Sequence, residues 1–129
     1  MKRLSIATAA VVIAAVAAPA VAPASDSDVR SAGKCSGSST SKIKVKPDDG
    51  RLEVEFEVDQ NKNGVKWKLK IKDNGKVAFR GSARTKAPSG SFSVEKRIDN
   101  QPGADRVKGI GRNPATGERC VAKVRIQPA

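Results

Sequence analysis

Arg51-Leu52-Glu53-Val54-Glu55-Phe56-Glu57-Val58-Asp59 alternates apolar and acidic residues without a break. Successive side chains of an extended chain point to opposite faces. Leu52, Val54, Phe56 and Val58 therefore share one side, and Glu53, Glu55 and Glu57 the other. Such a period of two marks a half-buried strand. Val65-Lys66-Trp67-Lys68-Leu69-Lys70-Ile71-Lys72 repeats the pattern with lysine in place of glutamate. Trp67, Leu69 and Ile71 face inward there, and the four lysines face out. The same alternation, less regular, predicts strands over 41–46, 76–85, 91–98, 105–112 and 119–127. No stretch downstream of residue 24 has a helical period.

Turn signals separate these segments. Pro47-Asp48-Asp49-Gly50 closes the first pair. Asp73-Asn74-Gly75 lies between the third and fourth strands. A three-residue loop with a glycine bulge would pair Ile71 with Val77 and Leu69 with Phe79, and would set Arg80 against Lys68. A plain two-residue Asn-Gly loop would slip the register and expose the apolar set. Gly109 and Gly111 predict an irregular, bulged sixth strand. About seven short strands with a Trp on the third predict an all-β fold, an immunoglobulin-like antiparallel β-sandwich. The alternative is a meander in which the second and third strands form a direct hairpin, with Glu57, Glu55 and Glu53 meeting Lys66, Lys68 and Lys70.

The ends carry other information. Lys2 and Arg3 precede an uncharged, Ala- and Val-rich run, and Ala22-Pro23-Ala24 forms a small-x-small cleavage site. Residues 1–24 thus read as a secretory signal peptide removed before Ser25. Their loss takes two positive charges from a net charge of +12 and leaves a strongly basic remainder. Residues 25–40, rich in Ser, Asp and Gly, read as a flexible N-terminal arm, and 41–129 as the sandwich domain. The expected location is extracellular, with no membrane span after cleavage. In an exported protein the two cysteines, Cys35 and Cys120, are most simply a disulfide. It closes a loop of about 85 residues, for which chain entropy gives at most roughly 4–5 kcal/mol.

Gly50 to Asp59, Ala87-Pro88-Ser89-Gly90-Ser91-Phe92 and Asn113-Pro114-Ala115-Thr116-Gly117-Glu118-Arg119-Cys120 resemble a group of small secreted actinobacterial proteins. The resemblance spans most of the chain after residue 24. It implies a single-disulfide β-sandwich. It implies no activity, because the group is largely uncharacterised.

The residue inventory argues against an enzyme. The chain has no His, so imidazole nucleophile activation, general acid–base catalysis and metal ligation by His are all missing. Ser39-Thr40-Ser41-Lys42 matches the letters of a Ser-Lys pair, but not at the start of a helix. Glu53, Glu55 and Glu57 stand on an open strand face rather than across a cleft. Asp59-Gln60-Asn61-Lys62-Asn63-Gly64 matches the first half of a calcium loop, but its twelfth position, which needs a carboxylate, is Lys70. No catalytic residue, metal site or cofactor is expected. One Trp, three Phe and no Tyr, all on apolar strand faces, leave no exposed ring for stacking sugars or bases.

Charge remains. In an immunoglobulin-like topology the third, fourth, sixth and last strands share a sheet, which gathers Lys66, Lys68, Lys70, Lys72, Arg80, Lys108, Lys123 and Arg125 on one face. The acidic second strand goes to the other sheet, between the lysines of the first strand and Arg97 of the fifth. The basic face is the candidate site for an anionic polymer or cell-wall component. Other readings are solubility alone, and a protein partner bound at a sheet edge or by loops.

Overall fold

The computed structural model describes residues 28–127; the signal-peptide segment lies outside them. Asp49 and Gly50 both take positive φ, 49° and 77°, and close a two-residue hairpin between β3 (Thr40–Asp48) and β4 (Arg51–Asp59). Its register sets Ile43 against Phe56 and Val45 against Val54 on the inner side. The chain then changes sheets. Thr85 (2% exposed) pins this crossover: its hydroxyl accepts the Val65 N–H at 2.9 Å and donates to the Lys62 carbonyl. Its backbone bonds both Val65 and Gly64. The direct hairpin between β4 and the following strand, the alternative read from the sequence, is therefore not formed.

β5 (Lys66–Asp73) and β6 (Lys76–Arg84) follow, then β7 (Ser91–Asp99), β8 (Asp105–Arg112) and β9 (Arg119–Ile126). Two antiparallel sheets result, β1-β3-β4-β7 and β2-β9-β8-β5-β6, stacked as a β-sandwich. The grouping of the third, fourth, sixth and last expected strands in one sheet is thus observed. No helix among the described residues is long and apolar enough to cross a membrane.

β1 (Val29–Ala32) and β2 (Lys34–Cys35) occupy the stretch expected to be a flexible arm. β1 pairs with β3 and β2 with β9, so this segment stitches the two sheets together. Gly33 makes the crossing. A Cβ there would lie 2.2 Å from Ser41 Oγ and 2.5 Å from the Val121 carbonyl oxygen, so only glycine fits. Cys35 and Cys120 are cross-strand neighbours and form the expected disulfide.

The core lies between the sheets. Phe56, Trp67, Val54, Val58, Ile71 and Val107 are all fully buried. Phe92 meets Phe56 edge-on at 6.5 Å and Trp67 at 6.1 Å. The Trp67 indole N–H, which needs an acceptor when buried, donates to Gln60 at 3.0 Å.

Two expectations about local backbone were wrong in informative ways. β8 is regular, with no register shift against β5 or β9. Its glycines serve packing instead: the Phe56 ring from the opposite sheet lies over Gly109, where a Cβ would approach within 2.5 Å. The β5–β6 loop is the two-residue turn, Asn74 (φ 50°) and Gly75 (φ 83°). A bulge after Lys72–Val77 then restores the apolar register, pairing Ile71 with Phe79 and Lys70 with Arg80. Alternation across the hairpin is kept by an extra residue in the strand, not in the loop.

Gly109→Ala forces a methyl against Phe56, and overpacking of this kind costs about 1–3 kcal/mol. The loss appears as a lower denaturant midpoint in equilibrium unfolding. An unchanged midpoint refutes this role for Gly109.

Candidate functional site

The two outer faces of the sandwich treat charge in opposite ways. On the four-stranded sheet the β3–β4 register sets each lysine of β3 opposite a glutamate of β4. Lys42–Glu57, Lys44–Glu55 and Lys46–Glu53 form ion pairs at 3.4, 3.6 and 3.5 Å. Arg97 Nε donates to Asp48 at 2.9 Å, and Arg51 pairs with Asp99 at 3.5 Å. The acidic strand lies between the first-strand lysines and the strand of Arg97, as the sequence led one to expect. This face is largely self-neutralised.

The outer face of the five-stranded sheet has no such compensation. Lys66, Lys68, Lys70 and Lys72 alternate outward along β5, because Trp67, Leu69, Ile71 and Asp73 are buried on its inner side. Registers across β6, β8 and β9 then set cation against cation. Lys72 faces Lys108, which faces Lys123. Lys70 faces Arg80, and Lys66 faces Arg84. Lys68 faces Arg112, which faces Arg119, and Arg106 faces Arg125. Among the described residues, none of these side chains is in an ion pair; the salt bridges involve only Arg30, Lys42, Lys44, Lys46, Arg51 and Arg97 on the basic side.

All eight residues expected on this face are therefore brought together, Lys66, Lys68, Lys70, Lys72, Arg80, Lys108, Lys123 and Arg125. Arg80 stands opposite Lys70 rather than Lys68, a consequence of the bulge. Sequence reading missed Arg84, Arg106, Arg112 and Arg119 on the same face. Their signal was present: Asp105, Val107, Gly109 and Gly111 alternate inward along β8, which sends Arg106, Lys108 and Arg112 outward.

The acids of this sheet are turned away. Glu118, in the β8–β9 connection, accepts from the Ser39 hydroxyl at 2.7 Å and the Ser39 N–H at 3.1 Å. Asp73 and Asp105 point inward and are 5% and 1% exposed. Asp105 accepts the Gln101 N–H at 3.0 Å, while neither Asp73 carboxyl oxygen has a donor partner. Burial, and then the neighbouring Asp105 carboxyl, push the Asp73 carboxyl up to about 7. In the half calcium motif the Asp59 carboxylate accepts the Asn61 N–H at 3.0 Å, and the twelfth residue, Lys70, stands on the basic face.

The Asp73–Asp105 pair makes stability depend on pH. The folded carboxyl holds its proton up to about pH 7, whereas the unfolded one releases it near 3.8. The folded state therefore binds the extra proton between those values, and this pair's contribution declines as pH rises through that window. Asp73→Asn keeps the packing and removes the titration. The melting temperature of the variant relative to the unaltered chain rises between pH 4.5 and 7.5 in a pH series of thermal melts. A constant difference contradicts the raised Asp73 carboxyl.

Compared with known proteins, the chain matches no family model, no curated protein and no solved structure.

Proposed function

We propose that this chain is a secreted, non-enzymatic protein that binds an anionic cell-envelope polymer through the outer face of its five-stranded sheet. One observation carries the reading: the outer charges of one sheet are of both signs and largely paired, whereas those of the other sheet, among the described residues, are all positive. Like charges directly opposite across strands are destabilising, and opposite charges contribute roughly 0.2–1 kcal/mol per pair. Solubility needs net charge away from zero, with signs interspersed. It does not call for rungs of facing cations such as Lys72, Lys108 and Lys123. A contiguous cationic surface attracts polyanions, raises their encounter rate and gains affinity by counterion release.

The disulfide fits an oxidising compartment. The rival reading, a protein partner added at a sheet edge, finds less support. At the β6 edge of the five-stranded sheet, Lys76, Arg80, Arg84 and a bulge are devices that discourage strand addition.

The test is retention on an immobilised polyanion such as heparin, eluted with salt. Lys68→Glu, Lys70→Glu and Lys123→Glu together lower the eluting salt and the salt dependence of binding, by a slope of about one per lost contact. Lys42→Glu, on the neutralised face, removes charge without changing elution much. Equal effects from the two faces, or unchanged retention after the triple reversal, would overturn the proposal.

A further inference from the structure

Both ends of the basic face carry a rung of three cations beside a rung of two, and a depression with a fixed rim lies at one of them. Lys72, Lys108 and Lys123 form one rung across three strands, and Arg106 with Arg125 forms the next. With strands about 4.8 Å apart and outward residues about 6.7 Å apart along a strand, these five side chains spring from an area of roughly 10 by 7 Å. They border an open depression of about 830 Å³ beside the β5–β6 turn. Asn74 fixes that rim. Its backbone N–H donates to the Arg106 carbonyl at 3.0 Å and its side-chain amide to the Ala104 carbonyl at 3.3 Å. Its side-chain oxygen accepts the Arg106 N–H at 2.9 Å. The backbone under Arg106 is thus held in place before any ligand arrives, which lowers the ordering cost of binding.

We propose that this depression is the anchor subsite for a linear polyphosphate, a phosphoanhydride chain with a charge on every phosphorus. The inference rests on the polyanion-binding reading of the face and goes beyond it, to a ligand of higher charge density than the envelope polymers. Charge density decides the class. A uronate polymer carries one carboxylate per sugar ring, and a polyol phosphodiester one charge per repeat. Either brings too few anions into this area to match five cations. A phosphoanhydride chain supplies charges at the needed density, with oxygens that suit the forked guanidinium groups of Arg106 and Arg125. Nothing here recognises bases or sugar rings: Trp67, Phe56 and Phe92 are buried and Phe79 is half-buried on the inner side.

The experiment is titration calorimetry with a medium-chain polyphosphate, a polygalacturonate and a duplex DNA, at equal total charge and fixed salt. Arg106→Ser/Arg125→Ser removes both guanidinium groups from the subsite, and Lys66→Ser/Lys68→Ser removes the same charge at the other end of the face. Thermal melts establish that both variants fold. The unaltered chain binds polyphosphate roughly tenfold more tightly than polygalacturonate or DNA. The arginine variant loses about tenfold for polyphosphate and no more than about threefold for the others, while the lysine variant weakens all three alike by about threefold. Equal losses from the two variants with every polymer, or tighter binding of DNA or polygalacturonate, overturn the subsite and leave the basic face standing. If no polymer binds the unaltered chain, the subsite and the reading of the face fall together.

Discussion

The position of β4 governs the electrostatics of the whole molecule. Its three glutamates are the main block of negative charge on any strand, and they neutralise whichever lysines lie beside them. The lysines of β3 and of β5 are equally eligible by pattern, since both alternate with apolar residues that could face Phe56. The choice is made by the crossover after Asp59, where Thr85 and the Gln60–Trp67 hydrogen bond carry the chain to the other sheet. The ion pairs that follow are exposed and weak individually. They do not hold the sandwich together. They decide which face is left positive.

What holds the sandwich is the apolar contact between the sheets, and it is strong enough to tolerate the uncompensated face. Burying a large aliphatic or aromatic side chain contributes about 1.5–3 kcal/mol. Trp67, Leu69, Ile71, Val107 and Ile126 all lie beneath the cationic rungs. Repulsion between facing lysines, of the order of a few tenths of a kcal/mol to one in solvent, is small beside that. The lysine stems can also lie along Ile110 and Val121, which stand outward in the middle of the sheet. A fold can keep an electrostatically unfavourable surface when its inner layer is this well packed.

Much of this was legible in the sequence because a period of two leaves little freedom. Once Trp67 and Leu69 are inward, Lys66, Lys68 and Lys70 must be outward, and the eight expected site residues follow from that rule. The strands β1 and β2 were not legible, since Val29 is the only large aliphatic residue in them and pairing is provided by their neighbours. The β5–β6 hairpin was ambiguous because a longer loop and a bulged strand preserve the same alternation. Gly109 looked like a local irregularity, and its reason sits across the core, on Phe56. Asp73 read as part of a turn. Its partnership with Asp105 depends on a neighbour 32 residues away, beyond the reach of local pattern.

The placement of the disulfide has a further consequence. It does not bridge the two layers but fastens the two-residue β2 onto the margin of β9, where Ser36 continues the pairing through its backbone N–H and its hydroxyl to Arg119. A segment so short has little hold of its own. Joined covalently, it acts as a guard rail over a row of backbone donors and acceptors that another molecule's strand could otherwise use. Because Cys120 is fully buried and Cys35 packs against the core, the link that guards this edge is itself part of the interior and shielded from solvent.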